Sequence, residues 1–378
     1  MSGWAAWFAE QRTAREDAGL QRALRPRAAD DDVIDLANND YLGLSGHPEV
    51  RRAASDAALR WGAGAAASRL VTGTTTLHAE LERELADFTG REAALVFSTG
   101  YHANLSAVTV LADKHSLIIS DAHVHASLID AARLSRAAIE VVPHNDVSAV
   151  RAALAEAGDR RAIVLTESIF SVLGDAAPLA DLAAVCADHD ALLVVDEAHG
   201  LGVVGEGGRG LVHARGLAGH PHVVMTATLS KSLGAMGGAV LGSAALIDHL
   251  VNRARPFIFD TGLAPAPTAG AQAALRLLRE RPALPSSIHR RGGELAERLG
   301  VPGSAGAVLS VPMPSPRVAL AAQAAALADG VRVGCFRPPS VPDGVSRLRI
   351  TTHVGLDDER WAYAVKVLCQ VVDDYRLP

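Results

Sequence analysis

The sequence is poor in cysteine and in long apolar runs, and each shortage excludes a class of protein. Its three cysteines, Cys186, Cys335 and Cys369, are far apart and odd in number, which fits neither a disulfide framework nor a zinc site. We therefore expect no bound metal, and buried thiols in a reducing cytoplasm. No apolar run reaches the roughly 18 residues of a membrane span, and residues 1–16 lack the apolar stretch of a signal peptide, so we expect no membrane association.

Positive charge is also in short supply. The net charge is −6 over 378 residues, which gives no broad attraction to nucleic acid or to anionic membranes. Any anionic ligand must therefore be held by local donors. The hydrophobic content of 49% and the charged content of 21% are those of an ordinary globular protein, and the length favours two domains.

Short apolar runs rich in Val, Ile and Leu alternate with helical stretches in the first two thirds of the chain. The runs are Ala93–Phe97, Ser116–Ser120, Ala162–Thr166, Ala191–Val195, His222–Thr226 and Gly238–Leu241. This alternation predicts an α/β fold with a mainly parallel sheet that is covered on both faces. Ligands of such sheets bind at the carboxyl ends of the strands.

The C-terminal third has fewer and more mixed elements. A helical pattern over Ala269–Arg281 is followed by a proline-containing loop, a strand near Ala307–Val311, a helix at Arg317–Asp329 and a strand at Arg347–Thr352. We therefore predict a helical arm over residues 1–38, a large domain over 39–265 and a small α/β domain over 266–378.

A single lysine occupies the small-residue loop that follows one predicted strand. Lys231 lies in the segment Met225–Gly234, where a strand end delivers its side chains to a ligand. A lysine amine at this place can form a Schiff base with an aldehyde cofactor, and Thr228 and Ser230 can donate to the phosphate of that cofactor. The alternative is an exposed loop lysine without a role.

A carboxylate and an imidazole follow the strand Ala191–Val195. Asp196 is predicted to be buried, and a buried carboxylate needs a cationic partner such as a protonated pyridine nitrogen. His199 lies three residues on and can reach the phenolic oxygen of the same ring. The alternatives are a metal-binding pair or a structural Asp cap.

The segment Gly200–Gly205 matches the glycine pattern of dinucleotide-binding proteins. The next residues, Glu206–Gly210, contain three glycines and cannot open the helix that would hold a pyrophosphate. We therefore reject a nicotinamide or flavin role for this segment.

Other strand ends carry polar groups as well. Backbone amides at Thr99, Gly100 and Tyr101 precede a helical stretch and would face a phosphate, unless the segment is an ordinary capped turn. His125 follows the next strand and can lie flat on an aromatic ring, and Ser171 offers a further hydroxyl donor. Polar groups at so many strand ends favour a binding site over a set of core residues.

With these residues in view, the chain resembles the α-oxoamine synthases, a family of fold-type I pyridoxal-phosphate enzymes, over nearly its full length. The resemblance is carried by Asn39–Leu44, Gly62–Gly64, Ser68–Leu70, His125–Leu128, Asp196–Gly200 and Ser230–Lys231. It implies a large mainly parallel-sheet domain that binds pyridoxal 5'-phosphate, a small C-terminal domain, and a homodimer with sites at the interface.

The resemblance also implies roles for single residues. Lys231 would be the Schiff-base lysine, Asp196 would pair with the pyridine nitrogen, His199 would contact the phenolic oxygen and His125 would stack on the ring. Further cofactor contacts would come from Gly100, Tyr101, Ser171, Thr228 and Thr261, of which Thr261 would reach the phosphate in the neighbouring subunit.

Within the family, Cys335–Pro342 and Ser346–Thr351 resemble the branch that condenses L-alanine with a pimeloyl thioester, on coenzyme A or a carrier, in biotin biosynthesis. Arg349 would then bind the amino-acid carboxylate, and Thr351 would lie close to the acyl chain. Arg22 resembles the substrate-contacting arginine of the family. Arg25 and Arg27 lie close enough in the sequence to be that arginine instead. The enzyme alternative is a member that uses glycine with acetyl or succinyl coenzyme A.

A non-catalytic binding protein on the same fold is the other alternative, and intact Lys231, Asp196 and His199 argue against it.

Two departures from the family pattern stand out. Leu173 replaces a common acidic residue, and Thr352–Gly355 differs from the usual ending of its segment. The second departure leaves the acyl-contacting threonine open.

Overall fold

Two β-sheets and their surrounding helices make up the described part of the chain. A computed structural model describes residues 3–376, so Met1, Ser2, Leu377 and Pro378, at the ends of the predicted arm and small domain, lie outside the described residues. The large sheet has seven strands: β2 (Ala93–Phe97), β3 (Leu117–Asp121), β4 (Ala138–Val142), β5 (Ala162–Glu167), β6 (Leu192–Asp196), β7 (Val223–Thr228) and β8 (Gly238–Gly242). The small sheet has four: β1 (Ile34–Leu36), β9 (Val308–Pro312), β10 (Val331–Phe336) and β11 (Arg347–Thr351).

Helices precede, connect and follow these strands. Those up to β6 are α1 (Gly3–Asp17), α2 (Pro48–Trp61), α3 (Thr76–Thr89), α4 (Gly100–Leu111), α5 (Ala126–Ser135), α6 (Val147–Ala155) and α7 (Leu179–Asp188). The later ones are α8 (Leu211–Ala214), α9 (Ala244–Arg253), α10 (Arg255–Ile258), α11 (Pro265–Glu280), α12 (Ser286–Leu299), α13 (Pro316–Ala328) and α14 (Asp358–Tyr375).

The large sheet is mainly parallel. Its strand order is β2-β8-β7-β6-β5-β3-β4, and β8 alone runs antiparallel to its neighbours. Helices cover both faces: Leu193 and Val195 of β6 pack in the same core as α6 and α7, whereas Val194 packs on the other face with α4 and α5. Burial on both faces explains why the central strands read as continuous apolar runs. The predicted α/β fold class is confirmed.

One strand of the large sheet was absent from the sequence prediction. β4 lies at the sheet edge beside β3, and its residues are exposed except for Val142. An edge strand that is open to solvent need not carry the apolar run by which the central strands were found. The predicted strands themselves agree with the observed ones to within two residues at each end.

The small sheet joins segments from both ends of the chain. Strand β1 pairs in parallel with β10, with Ile34 opposite Val331, while β10, β11 and β9 are antiparallel. Helix α11, which begins at Pro265, packs on α2 and α3 and buries Leu275 and Leu278 in the core of the large sheet. The division of the chain at residues 38 and 265 stays a prediction.

No helix within residues 3–376 has both the length and the apolar character needed to cross a bilayer.

Candidate active site

A cavity of about 270 Å³ lies at the carboxyl ends of the central strands of the large sheet. Its lining residues end or follow β2, β3, β5, β6 and β7, the place where parallel sheets bind their ligands. The structure brings nine of the predicted residues together here: Thr99, Gly100, Tyr101, His125, Asp196, His199, Thr228, Ser230 and Lys231.

The loop after β7 holds Lys231 in a fixed place. Its two ends are joined by a 3.0 Å hydrogen bond from the Leu229 amide to the Gly237 carbonyl. Gly234 in this loop has a φ of +59°, and a Cβ there would lie 2.3 Å from the backbone nitrogen of Ser45. Glycine is therefore required at this position, both for the backbone angle and for the close approach.

The amine of Lys231 is buried beside His199. The Lys231 Nζ lies 2.8 Å from the His199 Nε2. Burial lowers the pKa of Lys231 to about 8, although the carboxyl groups of Asp196 and Glu167 counteract this effect. A fraction of the amine is therefore unprotonated near neutral pH, which is the form that attacks aldehydes and accepts protons.

Asp196 ends β6 and is held by amide donors. Its Oδ2 accepts from the Asn104 Nδ2 at 2.7 Å, and its Oδ1 accepts from the Ala198 amide at 2.9 Å. The Asn104 Oδ1 in turn accepts from the Thr226 hydroxyl at 2.6 Å. Asn104 lies one helical turn after Gly100 on α4, a spacing that places both residues on the cavity side of that helix. The sequence analysis gave Asn104 no role.

His125 caps the start of α5, and its tautomer follows from its contacts. The Ser127 amide donates to the His125 Nδ1 at 3.2 Å, and the Ser127 hydroxyl lies 2.7 Å from the same nitrogen. Nδ1 is therefore an acceptor, and the neutral ring carries its proton on Nε2. Burial lowers the pKa of His125 and favours this neutral form.

Both ring nitrogens of His199 have buried partners. The Nε2 faces Lys231, and the Nδ1 lies 2.6 Å from the hydroxyl of Tyr41. Burial, together with the charge of Lys231, lowers the pKa of His199 well below its usual value. The imidazole is therefore neutral, and each nitrogen has a defined donor or acceptor role.

Glu167, at the end of β5, is a lining residue to which the sequence analysis gave no role. Its Oε2 accepts from the Ser171 amide at 3.0 Å, and no hydrogen-bond partner among the described residues meets its buried Oε1. Burial, reinforced by the nearby Asp196, raises the pKa of Glu167 well above its usual value. Glu167 therefore adds a buried carboxyl group with a raised pKa to the wall of the cavity.

The phosphate-binding residues predicted from the sequence meet at one end of the cavity. The Thr99 side chain accepts from the His102 amide and caps α4, whose first residue is Gly100. A Cβ on Gly100 would lie 3.0 Å from the Cβ of Thr228, so the glycine lets the helix start approach β7 closely. The Thr228 hydroxyl lies 2.7 Å from that of Ser230. Helix amides and hydroxyls together are donors for an anion.

Arg349 and Ser171 lie beside the cavity and contact each other. The Arg349 Nε donates to the Ser171 carbonyl at 2.7 Å, and one terminal nitrogen donates to the Asn39 Oδ1 at 3.0 Å. The guanidinium also lies over the Phe336 ring, 5.2 Å from its centre. These contacts fix a buried cation next to the site.

Three other predicted residues lie outside the cavity. The hydroxyl of Thr351 is buried 2.8 Å from the carbonyls of Leu36 and Asn38. Arg22 is exposed and donates to the Ser340 hydroxyl at 2.9 Å. Thr261 is exposed and pairs through an isolated β-bridge with Ser68.

A network of charged and imidazole groups lies behind His125. His144 bridges two carboxylates, with Nδ1 2.9 Å from Asp121 and Nε2 2.8 Å from Asp175, and it stacks on His123. Burial alone would lower the pKa of His144, but hydrogen bonds to Asp121 and Asp175 raise it to about 9. A charged His144 thus ties the end of β3 to the loop after Ser171.

Comparison with known proteins agrees with this geometry. Residues 31–368 match the family model of class I and II aminotransferases. An 8-amino-7-oxononanoate synthase from Mycobacterium sp. (strain KMS) is 55% identical over 97% of this chain and 96% of its own length. Among solved structures, a serine palmitoyltransferase from S. paucimobilis with bound PLP has a TM-score of 0.89 and is 29% identical over 97% of both chains. The 8-amino-7-oxononanoate synthase from Francisella tularensis has a TM-score of 0.77 and 25% identity over 91% of this chain and 99% of its own.

Proposed function

The chain belongs to the class I and II aminotransferase family, and on that basis we propose that it condenses L-alanine with a pimeloyl thioester in biotin biosynthesis. The products would be 8-amino-7-oxononanoate, carbon dioxide and the free thiol. The observation that carries the proposal is the 55% identity, over 97% of the chain, to a synthase of that product. The experiment that tests it is an assay of the purified protein with several amino acids against several acyl thioesters.

The residues that line the cavity fit pyridoxal phosphate. Within residues 3–376 the buried Glu167 Oε1 has no hydrogen-bond partner, as expected where a ligand completes the site. A Cβ on Gly100 would lie 3.0 Å from the Cβ of Thr228, so glycine keeps the start of α4 close to β7. Lys231 would hold the aldehyde carbon, Asp196 the pyridine nitrogen, and His199 the phenolic oxygen. His125 would cover the ring face. The start of α4 at Gly100 and Tyr101, with Thr228, would hold the phosphate.

When bound, pyridoxal phosphate supplies an electron sink that stabilises negative charge at the amino-acid Cα. The alanine amine would take the place of Lys231 on the aldehyde carbon, and the freed Lys231 amine, with its pKa of about 8, would accept the α-proton near neutral pH. The carbanion then forms a bond to the thioester carbonyl carbon, and the thiolate leaves. The bond from Cα to the alanine carboxylate breaks to release carbon dioxide, and Cα regains a proton.

Asp196 and His125 orient the reacting groups in this scheme. The donors from Asn104 and Ala198 keep the Asp196 carboxylate in one position, from which it would pair with a protonated pyridine nitrogen. The Nε2–H of His125 points away from Ser127 and is free to donate toward the substrate. His125 thus serves both as a cover of the ring and as a donor in the cavity.

The substrate would be bound at the edge formed by Arg349 and the N-terminal segment. Arg349 is a buried cation with one side-chain amide partner, Asn39, and is placed to pair with the alanine carboxylate. Arg22 lies farther out, and its bond to Ser340 would place it near the acyl chain or its carrier. Ser171 would contribute through its backbone, and Thr351 would act by shaping the wall around residues 36–38.

We also propose a homodimer in which each site includes Thr261 of a second copy of the chain. Thr261 is exposed and lies outside the cavity of its own chain. Helix α1 buries none of its residues, and its Trp4, Trp7 and Phe8 side chains form an exposed aromatic cluster. Such a cluster favours contact with another subunit, and sedimentation of the purified protein tests this assignment.

A cytoplasmic location fits the cysteine chemistry. Cys186, Cys335 and Cys369 are free thiols, and Cys186 is buried. Free thiols persist in reducing compartments, so we place the reaction in the cytoplasm. Fractionation of cells that express the chain tests this placement.

A further inference from the structure

Tyr41 is buried beside His199 and contacts the ring nitrogen of that residue that does not face Lys231. Its side chain has no exposed surface. Its hydroxyl lies 2.6 Å from the His199 Nδ1 and 3.1 Å from the Asn39 Oδ1. The other ring nitrogen of His199 faces Lys231 at 2.8 Å. Tyr41 is thus linked to the reactive amine through a single imidazole.

The hydrogen bonds around Tyr41 decide where its proton points. The hydroxyl has one proton and two possible acceptors. It lies 2.6 Å from the His199 Nδ1 and 3.1 Å from the Asn39 Oδ1, so the contact with His199 is the shorter. The Asn39 Oδ1 already accepts from Arg349 at 3.0 Å. Once the Lys231 amine is bound to the cofactor it no longer donates to the His199 Nε2, and the Tyr41 hydroxyl then donates to the His199 Nδ1 through the shorter of its two contacts.

This donation fixes the tautomer of His199. A neutral imidazole carries one N–H, and when Nδ1 accepts a hydrogen bond the proton must be on Nε2. The Nε2–H then points at the Lys231 amine and toward the place where the phenolic oxygen of pyridoxal phosphate would be bound. A hydrogen bond to one nitrogen of a histidine commonly sets the role of the other in this way.

We infer that Tyr41 is a positioning residue for the reaction: its hydroxyl holds His199 in the Nε2–H tautomer, so that His199 donates to the phenolic oxygen of the cofactor. The inference rests on the proposed function, because it needs pyridoxal phosphate at Lys231. It assigns to Tyr41 a task that phenylalanine, with the same ring and no hydroxyl, cannot perform.

Removal of the hydroxyl changes no charged group around this pair. The charged or titratable side chains around His199 are Lys231, Arg349 and His125, and those around Tyr41 are Arg349 and Glu167. Tyr41→Phe also removes a hydrogen bond between the hydroxyl and Arg349, but it changes no charge around the pair, so a shift in the titration of the cofactor can be attributed to the lost hydroxyl. The matched control is Tyr363→Phe, which removes one hydrogen bond, of 3.1 Å to the Asp329 carbonyl, on the surface of α14.

The visible absorbance of the holoenzyme, titrated with pH in the absence of substrate, tests the inference. A donor at the phenolic oxygen stabilises its negative charge, so a weakened donor makes the cofactor more basic. We expect the pKa of the visible titration to rise in Tyr41→Phe and to match the parent in Tyr363→Phe. We also expect kcat to fall about tenfold or more, the scale seen when the hydrogen-bond partner of a metal-bound histidine is lost.

A second measurement reads the tautomer directly in the unmodified holoenzyme. The ¹⁵N shifts of the His199 ring, assigned by comparison with His199→Gln, should show the proton on Nε2. This result does not depend on whether Tyr41→Phe folds. A proton on Nδ1, or a titration of Tyr41→Phe that superimposes on that of the parent, would overturn the inference. A parent protein without a visible cofactor band would instead overturn the proposed function.

Discussion

Lys231 and His199 lie on different strand ends of the large sheet, and their side-chain nitrogens come within 2.8 Å of each other. Parallel strands β6 and β7 are neighbours, so the segments that follow them meet at one edge of the sheet. The contact makes the amine of Lys231 part of a buried network rather than a surface group. The proposed role of Lys231 as a base depends on this contact.

Borohydride reduction should attach the cofactor to Lys231. The other lysines of the chain, Lys114 and Lys366, are exposed, and neither lines the cavity. We expect the purified protein to be yellow, and peptide mapping after reduction to find the cofactor on Lys231. Lys231→Ala should lose this label, whereas Lys366→Ala should keep it. A label on Lys114 or Lys366 in the parent protein would contradict the assignment.

Replacement of Asp196 by asparagine should separate cofactor binding from carbanion formation. The amide can still accept from Asn104, so Asp196→Asn should bind the cofactor. It no longer offers a negative charge to the pyridine nitrogen, and we expect the rate of α-proton exchange of L-alanine to fall about a hundredfold or more. Deuterium uptake followed by NMR measures this rate. Asp190→Asn, at a fully exposed carboxylate, is the control; exchange at the parent rate in Asp196→Asn would refute the electron-sink role.

His144 should make stability depend on pH above neutrality. Its pKa in the folded chain is about 9, against an ordinary value of 6.5. Because the folded-state pKa is the higher, the stabilisation is fully present below pH 6.5 and is lost as pH rises through 9. Denaturant unfolding of the parent across this range should show the loss.

The variant His144→Gln should flatten that dependence. It leaves Asp121 and Asp175 with weaker partners, so we expect a cost of about 1–3 kcal/mol in the free energy of unfolding below pH 6.5. His115→Gln, at an exposed histidine, is the control. Equal pH dependence in the parent and in His144→Gln would show that this network does not carry the effect.

Much of the fold and the centre of the site could be predicted from the sequence, for identifiable reasons. The central strands are buried on both faces and appear as apolar runs, and the polar residues that end them are easy to locate. The edge strand β4 is exposed and has no such run. Lys231, Asp196, His199 and His125 were found because each follows a strand.

Other parts of the site depend on contacts between distant segments, which no local pattern reveals. Arg349 reaches the backbone of Ser171, 178 positions earlier, and Tyr41 reaches His199, 158 positions later. Glu167 ends a strand as the predicted residues do, but its partnerless oxygen and its raised pKa arise only from burial beside Asp196. Such roles follow from tertiary packing.

The substrate assay has expected magnitudes. A pimeloyl group buries three more methylenes than a succinyl group, at about 0.8 kcal/mol each, so pimeloyl thioesters should be preferred by roughly fiftyfold. A single methyl group separates L-alanine from glycine, and a pocket discriminates one such group by only about 1–3 kcal/mol. Glycine should therefore be a poor substrate rather than an inert one.

The most direct test of the account is product analysis by mass spectrometry with L-alanine, glycine and L-serine, each offered with pimeloyl, succinyl, acetyl and palmitoyl coenzyme A. We predict the highest kcat/KM for L-alanine with pimeloyl coenzyme A, with 8-amino-7-oxononanoate as the product and one carbon dioxide released per turnover. Lys231→Ala should form none of it. A higher kcat/KM for glycine with acetyl or succinyl coenzyme A, or for L-serine with palmitoyl coenzyme A, would contradict the proposed function.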